Sequence, residues 1–95
     1  MILATVVGTV VSRERADGLK APTYLLVERC DQQGTGKRDF LVALDLIGAG
    51  YGEIVLLSQG SAARQTPTTD DRPIDAAIVA IVDLIDQENK VLYRK

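Results

Sequence analysis

The segment Gly48-Ala49-Gly50-Tyr51-Gly52 is the first candidate for ligand chemistry in this chain. Glycine-rich loops hold phosphates when a strand precedes them and a helix N-terminus follows, so that amides and helix dipole meet the anion. Here the spacing is G-x-G-x-G, and Glu53-Ile54-Val55-Leu56-Leu57-Ser58 reads as a strand. No Lys-Ser/Thr pair follows either. The pattern suits a tight turn that brings two backbones together better than a phosphate cradle. Ser61 follows Gly60, but G-x-S-x-G is absent and there is no histidine to take the hydroxyl proton. A helix cap or an interface contact remains for it. Asp45 and Glu53 flank the glycine turn and read as solvated or hydrogen-bonded carboxylates, with nothing to set them at glycosidase separation. Asp70-Asp71 offer too few oxygens for a dedicated calcium site. Arg64 reads as a solvated arginine or as the partner of an acid on another subunit.

The missing histidine also removes the commonest zinc ligand. Cys30 is the only cysteine, so an internal disulfide and a cysteine cluster are both excluded. It reads as a small buried hydrophobe. No catalytic residue, cofactor or metal is expected. The 95 residues carry 11 basic and 13 acidic side chains, a net charge of −2. By thirds the balance is +4 −3, +2 −4 and +5 −6, so no segment is strongly basic. Only Tyr24, Phe40, Tyr51 and Tyr93 are available to stack on bases. Both facts argue against a nucleic-acid footprint. The apolar start, Met1 to Val11, lacks a basic n-region, and Arg13-Glu14-Arg15 ends it before a membrane span is complete. A cytoplasmic protein is expected, with no membrane partner.

Gly, Pro and polar clusters divide the chain into short apolar runs. Ile2 to Ser12, rich in β-branched residues, predicts a long strand. Arg13 to Pro22 reads as a loop, and Tyr24 to Glu28 as a second strand. Cys30 to Lys37 is a polar connection to a third strand, Asp39 to Leu44. After the glycine turn, Glu53 to Ser58 forms the fourth. Gly60 to Arg64 suits one helical turn capped by Ser61, and Pro73 can start another through Asp75 to Ala77. The run Ile74 to Ile85 fits a mostly buried helix or a strand; its β-branched residues favour a strand from Ile78 to Leu84. Gln87-Glu88-Asn89-Lys90 reads as a turn before a short last strand, Val91 to Tyr93. About five short strands with polar turns point to a small closed barrel or sandwich.

Taken together, several motifs resemble the bacterial microcompartment vertex family, the EutN/CcmL family. They are Val6-Val7-Gly8-Thr9-Val10-Val11, Leu25-Leu26-Val27, Val42-Ala43-Leu44-Asp45 leading into Gly48-Ala49-Gly50, and Gly52-Glu53-Ile54-Val55-Leu56. Gly60-Ser61-Ala62-Ala63-Arg64 and Pro73-Ile74-Asp75-Ala76-Ala77-Ile78-Val79-Ala80-Ile81-Val82-Asp83 complete the likeness. Two stretches depart from it: Ala62 stands where a second serine is common, and Lys20-Ala21-Pro22-Thr23 replaces a glycine-containing approach.

The resemblance implies a mainly β fold, a small five-stranded OB-like barrel with one or two short helical turns, assembling as a cyclic pentamer. Residues 1–95 would form one vertex domain. Such pentamers cap the five-fold vertices of carboxysome-like shells, beside hexameric or pseudohexameric shell proteins, as structural parts and not enzymes. On this reading Gly48, Gly50 and Gly52 permit close backbone packing. Gly60, Ser61 and Arg64 contribute to the subunit contact or lie near the five-fold axis. Asp45, Glu53 and Asp75 receive Arg64 or backbone amides across the interface. Arg94-Lys95 and the Arg13–Ala21 loop are candidates for contact with the hexameric tiles. The first and last strands look apolar on both faces, so one face would fill the barrel and part of the other would pack on a neighbour. The competing reading is an OB-like module binding single-stranded nucleic acid or a small ligand.

Overall fold

The computed structural model describes residues 1–11, 23–60 and 76–95. Seven strands lie in these segments: β1 (Ile2–Val10), β2 (Thr23–Cys30), β3 (Gly36–Asp45), β4 (Ile54–Gln59), β5 (Ala76–Ile81), β6 (Leu84–Gln87) and β7 (Lys90–Arg94). The first five close a barrel in the order β1-β2-β3-β5-β4, while β6 and β7 form a separate two-stranded sheet. All barrel pairings are antiparallel except β3 with β5, which run parallel.

A barrel this small has room for little more than one layer of inward side chains. Ala4, Val6, Leu25, Val27, Ala43, Val55, Leu57, Ala76 and Ile78 supply it. Alanine takes three of these positions: Ala4 on β1, Ala43 on β3 and Ala76 on β5. Leu57, Ile78, Val27 and Val55 are the largest fully buried groups. A second, smaller cluster joins Leu44 and Ala77 to Tyr24 and Leu46 on the outer side of β2, β3 and β5. β1 bulges between Val6 and Gly8, which lets the long strand bend and pair with β2 at one end and β4 at the other.

Two expectations are corrected. The predicted strand from Ile78 to Leu84 is two elements. β5 starts earlier, at Ala76, and stops at Ile81 because its partner runs out: Ile81 lies opposite Val55, and Val82 N–H reaches Ile54 O at 2.8 Å. Ile54 is the first residue of β4, so no partner lies beyond that point, and Leu84 opens a hairpin instead. Likewise Ala76 and Ala77 are strand residues opposite Gln59 and Ser58, not the end of a helical turn. The helical turns expected over Ser61 to Arg64 and from Pro73 lie outside the described residues. The turn at Gln87 to Lys90 is as expected; Glu88 and Asn89 adopt φ values of 54° and 66°, a two-residue hairpin turn with both central residues left-handed.

Leu57 tests the barrel interior. Leu57→Ala should lower the unfolding free energy by about 2–5 kcal/mol, since the closed wall of strands cannot collapse into the cavity. Urea denaturation followed by circular dichroism measures it.

Candidate functional site

The glycine turn leaves β3 at Asp45 and rejoins the barrel at Ile54. Its shape is set by the carboxylates at its two ends. Asp45 Oδ1 accepts the amides of Ile47 at 3.1 Å and Gly48 at 3.0 Å, and Oδ2 accepts that of Ala49 at 3.0 Å. An anionic acceptor facing consecutive N–H groups curls the chain back on itself. Glu53 Oε1 accepts the Gly50 amide from the other side, and Glu53 N–H returns to Gly50 O. The turn then docks on β1: Gly52 N–H donates to Val6 O at 2.8 Å, and Val6 N–H to Glu53 O at 3.0 Å. Within the chain, Gly52 thus meets the backbone of β1 beside its bulge.

The glycines serve different ends. Gly48 and Gly52 have φ of +80° and +83°, where an L side chain is strained. At Gly50 a Cβ would stand 3.2 Å from Glu53 Oε1, so the carboxylate would have to give by a few tenths of an ångström. Gly60, with φ of +62°, ends β4. The turn exposes Tyr51 (83%) and Ile47 (44%), while Leu46 and Ala49 are half-buried against the two apolar clusters.

Glu53 also ties in the far end of the chain. Its Oε2 pairs with Lys95 Nζ, and Lys95 N–H donates to Asp83 O at 2.9 Å. The Lys95 ammonium and the Gly50 amide hold the Glu53 carboxyl below its ordinary value of 4.5. The Lys95 ammonium is raised above 10.5 for the same reason. Lys95 anchors the base of the hairpin through these two contacts. Asp45 and Glu53 collect amides of their own turn. Ser61, Arg64 and Asp75 lie outside the described residues.

Cys30 is buried, and burial pushes its thiol above 9.0 despite a hydrogen bond with Thr5. That state fits a packing role and not a nucleophile. Among the described residues no group of three His, Cys, Asp or Glu side chains is placed to hold a metal ion. The aromatic residues sit on four separate elements: Tyr24 on β2, Phe40 on β3, Tyr51 in the turn and Tyr93 on β7.

The outer face of the barrel along β3 carries a further apolar surface that none of the sequence candidates includes. Phe40, Leu41, Val42, Ala43 and Leu44 are all apolar, so half of them must point outward. Phe40 is 51% exposed and Val42 49%. Val42 stands opposite Leu26, and Phe40 opposite Glu28. The absence of alternation was the available signal.

Two predictions follow from this geometry. Asp45→Ala removes the acceptor of successive turn amides and should cost about 1–2 kcal/mol, as loss of a helix cap does, measurable by urea denaturation. Acid should act through Glu53. Its folded pKa is depressed, so its contribution is complete above pH 4.5 and fades as pH falls through the lower folded value. A Glu53→Gln variant should lack that part of the acid limb in a stability–pH profile.

Comparison with known proteins agrees with the barrel. The family described as "Ethanolamine utilisation protein EutN/carboxysome" matches residues 1–83. The carboxysome shell vertex protein CcmL of Nostoc sp. (strain PCC 7120) is 44% identical over 96 residues, covering 100% of this chain and 95% of that protein. Its solved structure superposes with a TM-score of 0.94 over 100% of both chains. The bacterial microcompartment shell vertex protein EutN of Escherichia coli K12 is 41% identical over the full length of each. A third relative, the GrpN pentameric microcompartment shell protein from Rhodospirillum rubrum, has a solved structure with 40% identity and a TM-score of 0.83, over 92% of this chain and 99% of that one. With its glycine turn, closed five-strand order and this degree of identity along its length, the chain belongs to the EutN/CcmL family of microcompartment shell vertex proteins.

Proposed function

We propose that residues 1–95 act as one vertex domain that assembles into a ring of five and closes the five-fold corners of a bacterial microcompartment shell in the cytoplasm. The role is structural and needs no catalytic group. Flat six-fold tiles cannot close a polyhedron by themselves; pentameric corners supply the curvature, and the ring must meet hexameric or pseudohexameric shell proteins along its rim. The relatives named as shell vertex proteins support this reading, as does the pentameric GrpN protein.

The observation that carries it is a pair of unlike apolar flanks. In the order β1-β2-β3-β5-β4, strand β4 lies across the barrel from the β2–β3 seam. On the β4 side, outward Leu3 stands opposite Leu56, and Leu56 opposite Ala80. All three are half-buried in the isolated chain. On the β2–β3 side, Leu26 and Val42 stand together beside Phe40. Two different sticky surfaces on opposite sides of one body favour a head-to-tail contact, which repeats until the ring closes. A two-fold dimer would instead need one patch that matches itself.

Gly60, Ser61, Arg64 and Asp75 belong in this proposal at the subunit interface or near the five-fold axis, together with Asp45, Gly48, Gly50, Gly52 and Glu53. Native mass spectrometry at micromolar concentration should give a mass of five chains. Monomers alone, or a closed dimer, would sink the proposal.

A further inference from the structure

The β6–β7 hairpin shares no ladder with the barrel. A lone two-stranded sheet is marginal in water, so something must cover it. One face is covered from within. Ile85 lies opposite Tyr93, and both are half-buried. A Cβ built on Gly34 would stand 3.7 Å from Tyr93 Cδ1 and 3.0 Å from Ile54 Cδ1, so Tyr93 rests where the β2–β3 loop meets β4. Gln87 Oε1 accepts from Gln32 Nε2 at 3.2 Å, and Lys95 pairs with Glu53. The other face carries Leu84 opposite Arg94 and Asp86 opposite Val91. Leu84 is 44% exposed and Val91 45%.

The place of this face says what covers it. The hairpin is anchored at Glu53 and Ile54, so it prolongs the Leu3–Leu56–Ala80 flank. In a head-to-tail ring that flank meets the β2–β3 flank of the next copy. The heights agree: Thr5 stands opposite both Ile54 and Glu28, and Glu28 opposite Phe40, so the hairpin's anchor and Phe40 share one row around the barrel. The chemistry agrees as well. Each surface offers two apolar groups, one acid and one base: Leu84, Val91, Asp86 and Arg94 on the hairpin; Phe40, Val42, Glu28 and Arg38 on the flank.

We propose that the hairpin of one protomer lies with its Leu84–Val91 face on the Phe40–Val42 flank of the next, Asp86 toward Arg38 and Arg94 toward Glu28. The proposal rests on the ring reading and names the element that crosses its seam. Covering both faces of the hairpin would couple its order to assembly.

The test compares the full-length wild type with Leu84→Asp/Val91→Asp by native mass spectrometry over a dilution series. Both sites are about half exposed, so the variant should keep its barrel, checked by circular dichroism. The expected result is dissociation at a concentration at least tenfold higher than for the wild type. Asp86→Arg should weaken the ring in the same way, and adding Arg38→Glu should restore it. Oxidising a Phe40→Cys/Leu84→Cys variant should give a ladder of chains joined end to end. A wild-type pentamer whose Asp variant dissociates at the same dilution, with no ladder, overturns the hairpin contact and leaves the ring standing. A wild type that never exceeds one chain overturns both.

Discussion

A five-stranded barrel is narrow. Its interior takes one inward residue in two from each strand, and much of that space is given to alanine: Ala4, Ala43 and Ala76 among valines and leucines. The chain has far more apolar residues than this interior holds, at 46% of its length. Those left over must point outward, and apolar groups on an outer wall carry a free-energy cost of roughly 25 cal/mol for each Å² left in water. Some are covered by the chain itself. Leu44 and Ala77 form a small outer cluster with Tyr24 and Leu46. Phe40, Val42, Leu84 and Val91 remain about half exposed. The limit on barrel volume thus converts composition into a demand for neighbours.

The turn after β3 illustrates how a motif can look like a ligand site and serve the framework. Amides that would face an anion in a nucleotide-binding loop face carboxylates of the chain: Asp45 takes those of residues 47–49, and Glu53 that of Gly50. A phosphate would find the donors occupied and two negative charges beside them. What the arrangement does supply is rigidity. One end of the turn docks on the β1 backbone, and Glu53 reaches Lys95 beyond the hairpin. The turn, the start of β4 and the base of the hairpin are therefore held as one unit. Exposed ion pairs contribute little to stability; here the pair matters for where it places the hairpin.

Much of the barrel was legible because period-2 chemistry is local. β-branched runs, broken by Gly and polar clusters, located β1 to β4 and the last strand to within a few residues. The error in the run from Ile74 to Ile85 has a non-local cause. Its residues favour a strand throughout, but a strand needs a partner, and the ladder with β4 runs out at Ile81, opposite the start of β4. Asp45 and Glu53 were recognisable as acids flanking a turn. Which atoms they would bind was not, because that depends on the path of residues 46–52 once Gly52 has met Val6.

The residue types alone determined that this chain folds as strands, that it carries no histidine chemistry, and that Gly48 and Gly52 can enter conformations closed to other residues. They also carried the motif order by which the family is known. Tertiary structure alone decided which apolar residues face in and which face out, and that β4 stands across the barrel from the β2–β3 seam. The reason is physical: alternation assigns faces only relative to a closed sheet. Pairing partners, bulges such as that between Val6 and Gly8, and the return of the hairpin to Glu53 are all set by contacts between residues far apart in the chain.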